Sequence, residues 1–169
     1  MTAAGDAGAL VAALEAAGLR PRPASLLGEP VSSGFPGLAV TLGRTEIVFR
    51  RLDPATVLLA RVRRATDGPA GLASPLQGIA RFVAVLARTR AETGLERVVG
   101  VVDTSLFPVE GGLDDDRLGA FYRRLHGAAD LDPAAIPGLD EGDRLYAGKR
   151  GAKWVGLELA RFRGERLRG

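Results

Sequence analysis

Three side chains are candidates for proton transfer by their type and position: Asp103, Tyr122 and His126. His126 is the one histidine of the chain, so a Ser-His-Asp triad would have to use it. Asp103 follows an apolar run that predicts a buried strand, and ligands collect at the carboxyl ends of such strands in open α/β sheets. These residues make acid–base chemistry one hypothesis for the protein.

Each of the three also has a structural interpretation, which the spacing favours. Counted from Leu118, the apolar residues recur at i, i+3, i+4 and i+7, so Tyr122 lies on the apolar stripe of a short helix over 118–126. A packed tyrosine whose hydroxyl contacts a partner needs no catalytic role. His126 ends that helix, where the macrodipole favours a cation, and Asp103 fits a solvated loop cap.

The composition excludes several classes of site. The chain has no cysteine and one histidine, so a disulfide framework, a thiolate metal site and a His-rich zinc site cannot form. No stretch approaches the ~18 apolar residues of a membrane span, and the first residues lack the basic and apolar regions of a signal peptide. We therefore expect no metal, no membrane span and a cytoplasmic location.

The basic charge is carried almost entirely by arginine. The formal net charge is +3 with a pI near 9.9, because arginine does not deprotonate in this range. The arginines are spread along the chain, with a modest cluster in a basic tail at 160–169, where Phe162 is the single aromatic residue. A nucleic-acid binder concentrates such charge and interleaves aromatic residues for stacking, so the sequence disfavours nucleic acid as a partner.

The order of predicted elements indicates a single α+β domain over 1–169. An N-terminal helix and linker occupy 1–22, and a long loop rich in Asp, Pro and Gly occupies 131–152. Between them we expect an antiparallel meander, a long helix from Ser74 to Gly94, a buried strand and a short helix, with a final strand after the loop. The strands are predicted at 38–42, 46–52, 57–62, 98–102 and 154–159.

The long helix is predicted to have two unlike faces. Its apolar residues fall at helical spacing between Leu76 and Leu86. Arg81, Arg88 and Arg90 point mostly away from that face.

From the meander onward, this order resembles the core of the GNAT acetyltransferase superfamily. In that family a Gln/Arg-x-x-Gly-x-Gly/Ala loop opens the long helix, and its backbone N–H groups bind the coenzyme A pyrophosphate. The matching segment here is Pro75–Ala80, with proline at the first position. Its small residues fit an ordinary packed helix equally well. The cofactor-binding candidates that the resemblance implies are Gln77, Gly78, Ile79 and Ala80.

A second GNAT-like feature is the run Phe121–Gly127. Family members carry a tyrosine in a Phe-Tyr-x-x-Leu-Gly-Phe-like run, where its hydroxyl protonates the leaving thiolate. Tyr122 matches that position, so the resemblance implies it as the catalytic candidate. Acetyl-CoA would be the cofactor of such an enzyme, and its admission requires two strands of the sheet to splay apart.

A further resemblance covers more of the chain, from about residue 19 to residue 130. Its segments are Leu27–Val31, Leu38–Val40, Ile47–Phe49 and above all Arg117–Ala128, which contains an aromatic pair and a double arginine. These segments resemble the LcrR family, encoded in type III secretion operons and linked to low-calcium-response regulation. The resemblance implies a cytoplasmic regulatory protein that acts through other secretion components, and it supplies no catalytic residues.

Two hypotheses follow from these resemblances. The first is a regulator of type III secretion that binds proteins without catalysis, needs no cofactor and exposes an apolar or arginine-edged patch. Its candidate contacts are Phe35, Arg123 and Arg124, together with the stretch Ile136–Leu139. The alternative is an acetyl-CoA-dependent N-acetyltransferase that uses Tyr122. The first predicts a filled or weakly polar cleft where coenzyme A would lie, and the second predicts an open groove.

Overall fold

The computed structural model of the protein describes residues 3–24, 37–43, 45–64, 75–102, 119–120, 122–124, 127–147 and 151–162. These residues form one mixed sheet of seven strands with helices packed on it, which confirms the predicted α+β class. The strands are β1 (Arg22–Pro23), β2 (Leu38–Leu42), β3 (Thr45–Asp53), β4 (Thr56–Arg64), β5 (Arg97–Val102), β6 (Ala129–Leu131) and β7 (Lys153–Glu158). The helices are α1 (Ala3–Ala16), α2 (Pro75–Arg88), α3 (Arg90–Thr93) and α4 (Glu141–Ala147).

Strands β2, β3 and β4 form the predicted antiparallel meander because tight turns connect them. β2 turns into β3 at Gly43, whose φ of 60° lies in the left-handed region that glycine adopts without strain. β3 turns into β4 after Asp53, whose carboxylate accepts a hydrogen bond from the Ala55 N–H at 2.7 Å. β1 adds a short antiparallel strand beside β2, at the end of the predicted N-terminal linker.

The predicted long helix is in fact two helices. Thr89 separates α2 from α3 and lies outside helical geometry, with φ −95° and ψ 7°. Its hydroxyl donates a hydrogen bond to the Val85 carbonyl at 2.9 Å, a contact that often bends helices. α3 ends at Gly94, which has a left-handed φ of 75°, so the predicted end of the helical region is correct.

The two halves of the sheet meet at β4 and β5. The chain crosses from β4 through α2 to β5, which pairs with β4 in parallel. β7 inserts between β5 and β6 and is antiparallel to both, which gives the order β1-β2-β3-β4-β5-β7-β6. β5 therefore lies inside the sheet, as its continuous apolar run predicted.

The stretch predicted as a long loop, 131–152, contains regular structure. It holds the 3-10 turn Pro133–Ala135, capped by Asp132, and the helix α4. α4 is tied to the sheet by Asp143, which is 2% exposed. The Asp143 carboxylate accepts a hydrogen bond from Arg50 Nε at 2.9 Å and a second one from Arg50 Nη2.

Apolar clusters cover both faces of the sheet. The larger cluster lies under α1 and α2, where the Phe49 and Phe82 rings pack with centroids 5.0 Å apart. The smaller cluster lies on the opposite face, where Ile136 and Trp154 pack with Val48. The central strands are therefore buried on both sides, as in other layered α and β domains.

Candidate functional site

A cleft opens where the two parallel strands part. β4 and β5 stay paired up to Leu59, which lies opposite Gly100. Beyond this point β5 continues along β7 to Val102, whereas β4 continues along β3. The register between β3 and β4 skips Ala60 at the same place, which is a bulge of the kind that bends a strand. The bulge therefore coincides with the start of the cleft.

The cleft is apolar and almost filled. Its space for the centres of water-sized molecules is about 40 Å³, which is room for roughly three waters at ~10–15 Å³ each. Among its described lining residues, Arg61 and Tyr122 are the ones with polar side chains. The lining residues are Leu59, Ala60, Arg61, Val62, Ile79, Val83, Val98, Val99, Gly100, Val101, Tyr122, Ala128, Val155, Gly156 and Leu157.

Tyr122 contributes one wall of this cleft from a short helical stretch. That stretch, residues 119–120 and 122–124, is called the Tyr122 segment below. The Tyr122 ring is half-buried against the larger apolar cluster. Burial raises the pKa of the Tyr122 hydroxyl, because the phenolate would lose its hydration. The hydroxyl therefore stays protonated at neutral pH, which suits a packed tyrosine and a proton donor alike.

One of the four cofactor-binding candidates reaches the cleft. Ile79 is among the lining residues, whereas Gln77 is exposed and Ala80 is buried elsewhere on α2. Gly78 lies against β3, where a Cβ atom would come within 2.8 Å of the Thr45 Cβ. Close packing of helix on strand therefore accounts for this glycine. A cofactor role for the four residues stays a prediction.

The arginine candidates for partner binding lie on the Tyr122 segment. Arg123 Nη2 donates a hydrogen bond to Asp130 Oδ1 at 2.9 Å. This hydrogen bond, and then the positive charge of Arg123, hold the pKa of the Asp130 carboxyl below its usual range. Arg124 is exposed. Both arginines are thus on the surface, one of them already paired, and their role as partner contacts stays a prediction.

The remaining sequence candidates fall in different places. Phe35, Asp103 and His126 lie outside the residues that the structure describes. Ile136 is 5% exposed and packs with the half-buried Leu139 in the smaller apolar cluster. Both side chains therefore pack on the sheet, and a role of this stretch in partner binding stays a prediction.

A second feature was not predicted: an open groove beside α2, called the arginine groove below. It lies between the end of α1, the outer side of α2 and α3, and the 3-10 turn Leu159–Arg161. Its space for the centres of water-sized molecules is about 1050 Å³, more than twenty times that of the cleft. Its lining residues are Ala17, Leu19, Leu42, Arg81, Ala84, Val85, Ala87, Arg88, Arg90, Leu159, Ala160 and Phe162.

The arginine groove has a charged rim and an apolar floor. Arg81, Arg88 and Arg90 are exposed along its rim, and no carboxylate is among its described lining residues. Within the part of the chain that the structure describes, no ion pair joins these arginines to an acidic side chain. The floor includes Leu42 and Leu159, which are 6% and 2% exposed.

The sequence did carry one signal for this groove. Arg81 and Arg88 are seven residues apart, so they lie on one side of α2. The residues between them on that side, Ala84 and Val85, are small and apolar. The remaining walls could not be assigned, because they come from segments far apart in the sequence.

Metal binding and membrane insertion each require a recognisable arrangement of side chains or helices. In the described ranges, no group of three or more His, Cys, Asp or Glu side chains is arranged to hold a metal ion. The same part of the chain contains no helix of the length and apolarity that a bilayer crossing requires.

The mixed sheet, the filled cleft and the arginine groove define a small α+β protein with an open, positively charged groove. Residues 7–137, more than three quarters of the chain, match the family model described as "Type III secretion system regulator (LcrR)". The chain therefore belongs to the LcrR family of type III secretion system regulators. No curated protein and no solved structure matches the chain. The LcrR resemblance is thus confirmed, whereas the GNAT resemblance stays a prediction.

Proposed function

We propose that this type III secretion regulator acts by binding another protein and catalyses no reaction. The observation that carries the proposal is the arginine groove, which combines an apolar floor with three exposed arginines. Its exposed arginines give the groove a positive charge that acidic side chains of another protein can complement. A cytoplasmic location and partners within the secretion system go with this proposal, because both fit a regulator of that system.

The cleft supports the part of the proposal that the protein catalyses no reaction. Acid–base catalysis needs a matched acid and base beside a bound substrate. The described lining residues of the cleft include the Tyr122 hydroxyl but no carboxylate and no histidine. Space for a few water molecules is also too little for both a substrate and a cofactor arm. The cleft is better explained as an apolar seam filled by its own walls.

Binding to purified type III secretion components tests this proposal. We expect at least one component to bind the full chain with micromolar affinity or better. Its binding should weaken about tenfold when Arg81 and Arg88 are both changed to glutamate, because rim charges steer and stabilise encounters. The matched control is Arg144→Glu, a charge reversal at an exposed arginine outside the groove. If no component binds the unmodified chain, the proposal fails.

A second candidate is the acetyl-CoA-dependent N-acetyltransferase that the GNAT resemblance implies. The observation that favours it is the separation of β4 and β5 beyond Leu59 and Gly100, with Ile79 and Tyr122 both on the cleft between them. Thermal unfolding with acetyl-CoA separates the two candidates. A ligand at a hundredfold excess over its Kd stabilises by about 2.7 kcal/mol. We expect no such shift at millimolar acetyl-CoA. A shift, with acetyl transfer that Tyr122→Phe slows, would establish the enzyme.

A further inference from the structure

We propose that the arginine groove binds an acidic, amphipathic α-helix of a protein partner. This inference rests on the proposed function and names the chemistry of the partner segment. The occupant must satisfy two features of the groove at once: a rim whose charged side chains, among the described residues, are all arginines, and a floor that is apolar.

The rim sets the charge of the occupant. Arg81, Arg88 and Arg90 are all exposed, and the described lining residues supply no carboxylate to balance them. A partner that brings carboxylates therefore gains three attractive contacts without displacing an ion pair among the described residues. A basic or neutral segment gains none of these contacts.

The floor separates a protein segment from a nucleic acid. Leu42, Val85 and Leu159 form buried apolar walls, and the half-buried Phe162 lies beside them. Apolar side chains of a partner would cover the surface that Leu19, Ala84, Ala87 and Phe162 leave exposed, and would release its water. A nucleic-acid backbone would place charged phosphates on this apolar floor. Proteins that bind single strands instead have several aromatic side chains for base stacking along a positively charged path.

The spacing of the rim favours a helix. Arg81 and Arg88 lie on the same side of α2, two turns or about 10.5 Å apart along its axis. A partner helix repeats this distance between its residues i and i+7. Side chains on one face of a strand are instead about 6.6 or 13.2 Å apart. Ala84 and Ala87 lie on the groove wall between and beside the arginines, and their small side chains let a partner backbone approach closely.

Two synthetic helical peptides test the inference with the full chain. Both carry the same leucine stripe and two glutamates seven residues apart. In the matched peptide the glutamates flank the stripe, and in the mismatched peptide they lie on the opposite face. We expect the matched peptide to bind about tenfold more tightly, measured by fluorescence anisotropy, because two rim ion pairs together account for a factor of this size. Equal affinities for the two peptides would overturn the inference.

Charge exchange tests the position of the helix. Changing Arg81 and Arg88 to glutamate should weaken the matched peptide about tenfold, and a peptide with lysines at the two glutamate positions should then regain that affinity. Because both arginines are exposed, we expect the variant to fold.

Ala160 lies exposed on the facing wall and gives an independent test. Ala160→Glu should weaken the matched peptide and Ala160→Lys should tighten it, each about threefold.

The outcomes separate this inference from the function on which it rests. If a secretion component binds but its affinity depends on Arg124 and not on Arg81 and Arg88, protein binding stands and the groove assignment is wrong. A DNA duplex that binds more tightly than the matched peptide at the same salt concentration, through the same arginines, also overturns the inference. If no secretion component binds, the proposed function itself fails.

Discussion

At Gly78 the absence of a side chain sets the distance between α2 and β3. A Cβ atom would come within 2.8 Å of the Thr45 Cβ and 2.9 Å of both other Thr45 side-chain heavy atoms. Thr45 is 3% exposed and β-branched, so it has little room to move away. We expect Gly78→Ala to lower the free energy of unfolding by about 1–2 kcal/mol, because overpacking outweighs the gain in helix propensity. Urea unfolding measures this change.

Gly8 in α1 is the matched control for that prediction. It is also a helical glycine, but a Cβ atom added there meets nothing within 4 Å. Gly8→Ala should therefore raise the free energy of unfolding by about 0.5–1 kcal/mol through helix propensity alone. The two substitutions should have opposite signs. A stabilising Gly78→Ala would show that helix and strand are further apart than described.

Tyr122 gives a prediction that depends on pH. Burial raises the pKa of its hydroxyl in the folded state, so above a pH of about 10 the unfolded chain loses this proton while the folded chain keeps it. The proton difference makes stability fall as pH rises through this range. We expect the free energy of unfolding of the wild type to exceed that of Tyr122→Phe by about 1 kcal/mol at neutral pH. This difference should shrink above a pH of about 10. A gap independent of pH would contradict the burial of the hydroxyl.

Among the elements, α4 is joined to β3 by the ion pair between Arg50 and Asp143. The Arg50 side chain is 17% exposed and that of Asp143 is 2% exposed, and their hydrogen bonds join β3 to α4. Asp143 also accepts a hydrogen bond from the Asp140 N–H at 3.1 Å and donates its own N–H to the Asp140 carboxylate at 2.7 Å. Asp143→Ala should therefore lower the free energy of unfolding by about 3 kcal/mol, because the largely buried guanidinium loses both of its hydrogen bonds to the Asp143 carboxylate and keeps only the more distant Asp140, at 3.9 Å.

The pair Arg123–Asp130 is the surface counterpart of that contact. It is also an arginine–aspartate pair, but its side chains are 45% and 62% exposed. Asp130→Ala should leave the unfolding midpoint almost unchanged, because water and salt screen an exposed pair. Chemical denaturation of the two variants under one buffer makes the comparison. Equal losses would mean that Asp143 is not the link between α4 and the sheet.

The elements that the sequence predicted correctly are those with local signals. β5 is an apolar run with no polar interruption, and the turns at Gly43 and Asp53 separate strands with clear alternation. α4 has no such signal, since a helix of seven residues is marginal alone and depends on Arg50, 93 positions away. The break at Thr89 was also not predicted. A threonine does not mark a break by its type, because threonine also occurs inside helices.

The candidate sites show the same division. The apolar stripe around Tyr122 placed that residue correctly against the core, because its spacing is a property of one segment. The cleft beside it depends on where β4 leaves β5, and a bulge at Ala60 cannot be read from side-chain alternation. The arginine groove combines α1, β2, α2 and the last 3-10 turn, so only its rim had a sequence signal.

On the scale of the whole molecule, α2 separates the two candidate sites. Ile79 and Val83 line the cleft, whereas Arg81 and Arg88 line the arginine groove. The inner side of the helix packs on the sheet and closes the cleft, and its outer side remains open to a partner. This division is what we expect of a domain that uses its sheet for stability and a helix surface for recognition.

Secretion by the bacterium itself tests the central claim most directly. The gene is replaced in its own locus by Tyr122→Phe or by the double change Arg81→Glu and Arg88→Glu, with equal protein levels verified, and type III secretion is measured against a deletion. A regulator that binds its partner through the arginine groove predicts normal regulation with Tyr122→Phe and a deletion-like defect with the double change. A deletion-like defect with Tyr122→Phe, together with normal regulation by the double variant, would contradict it.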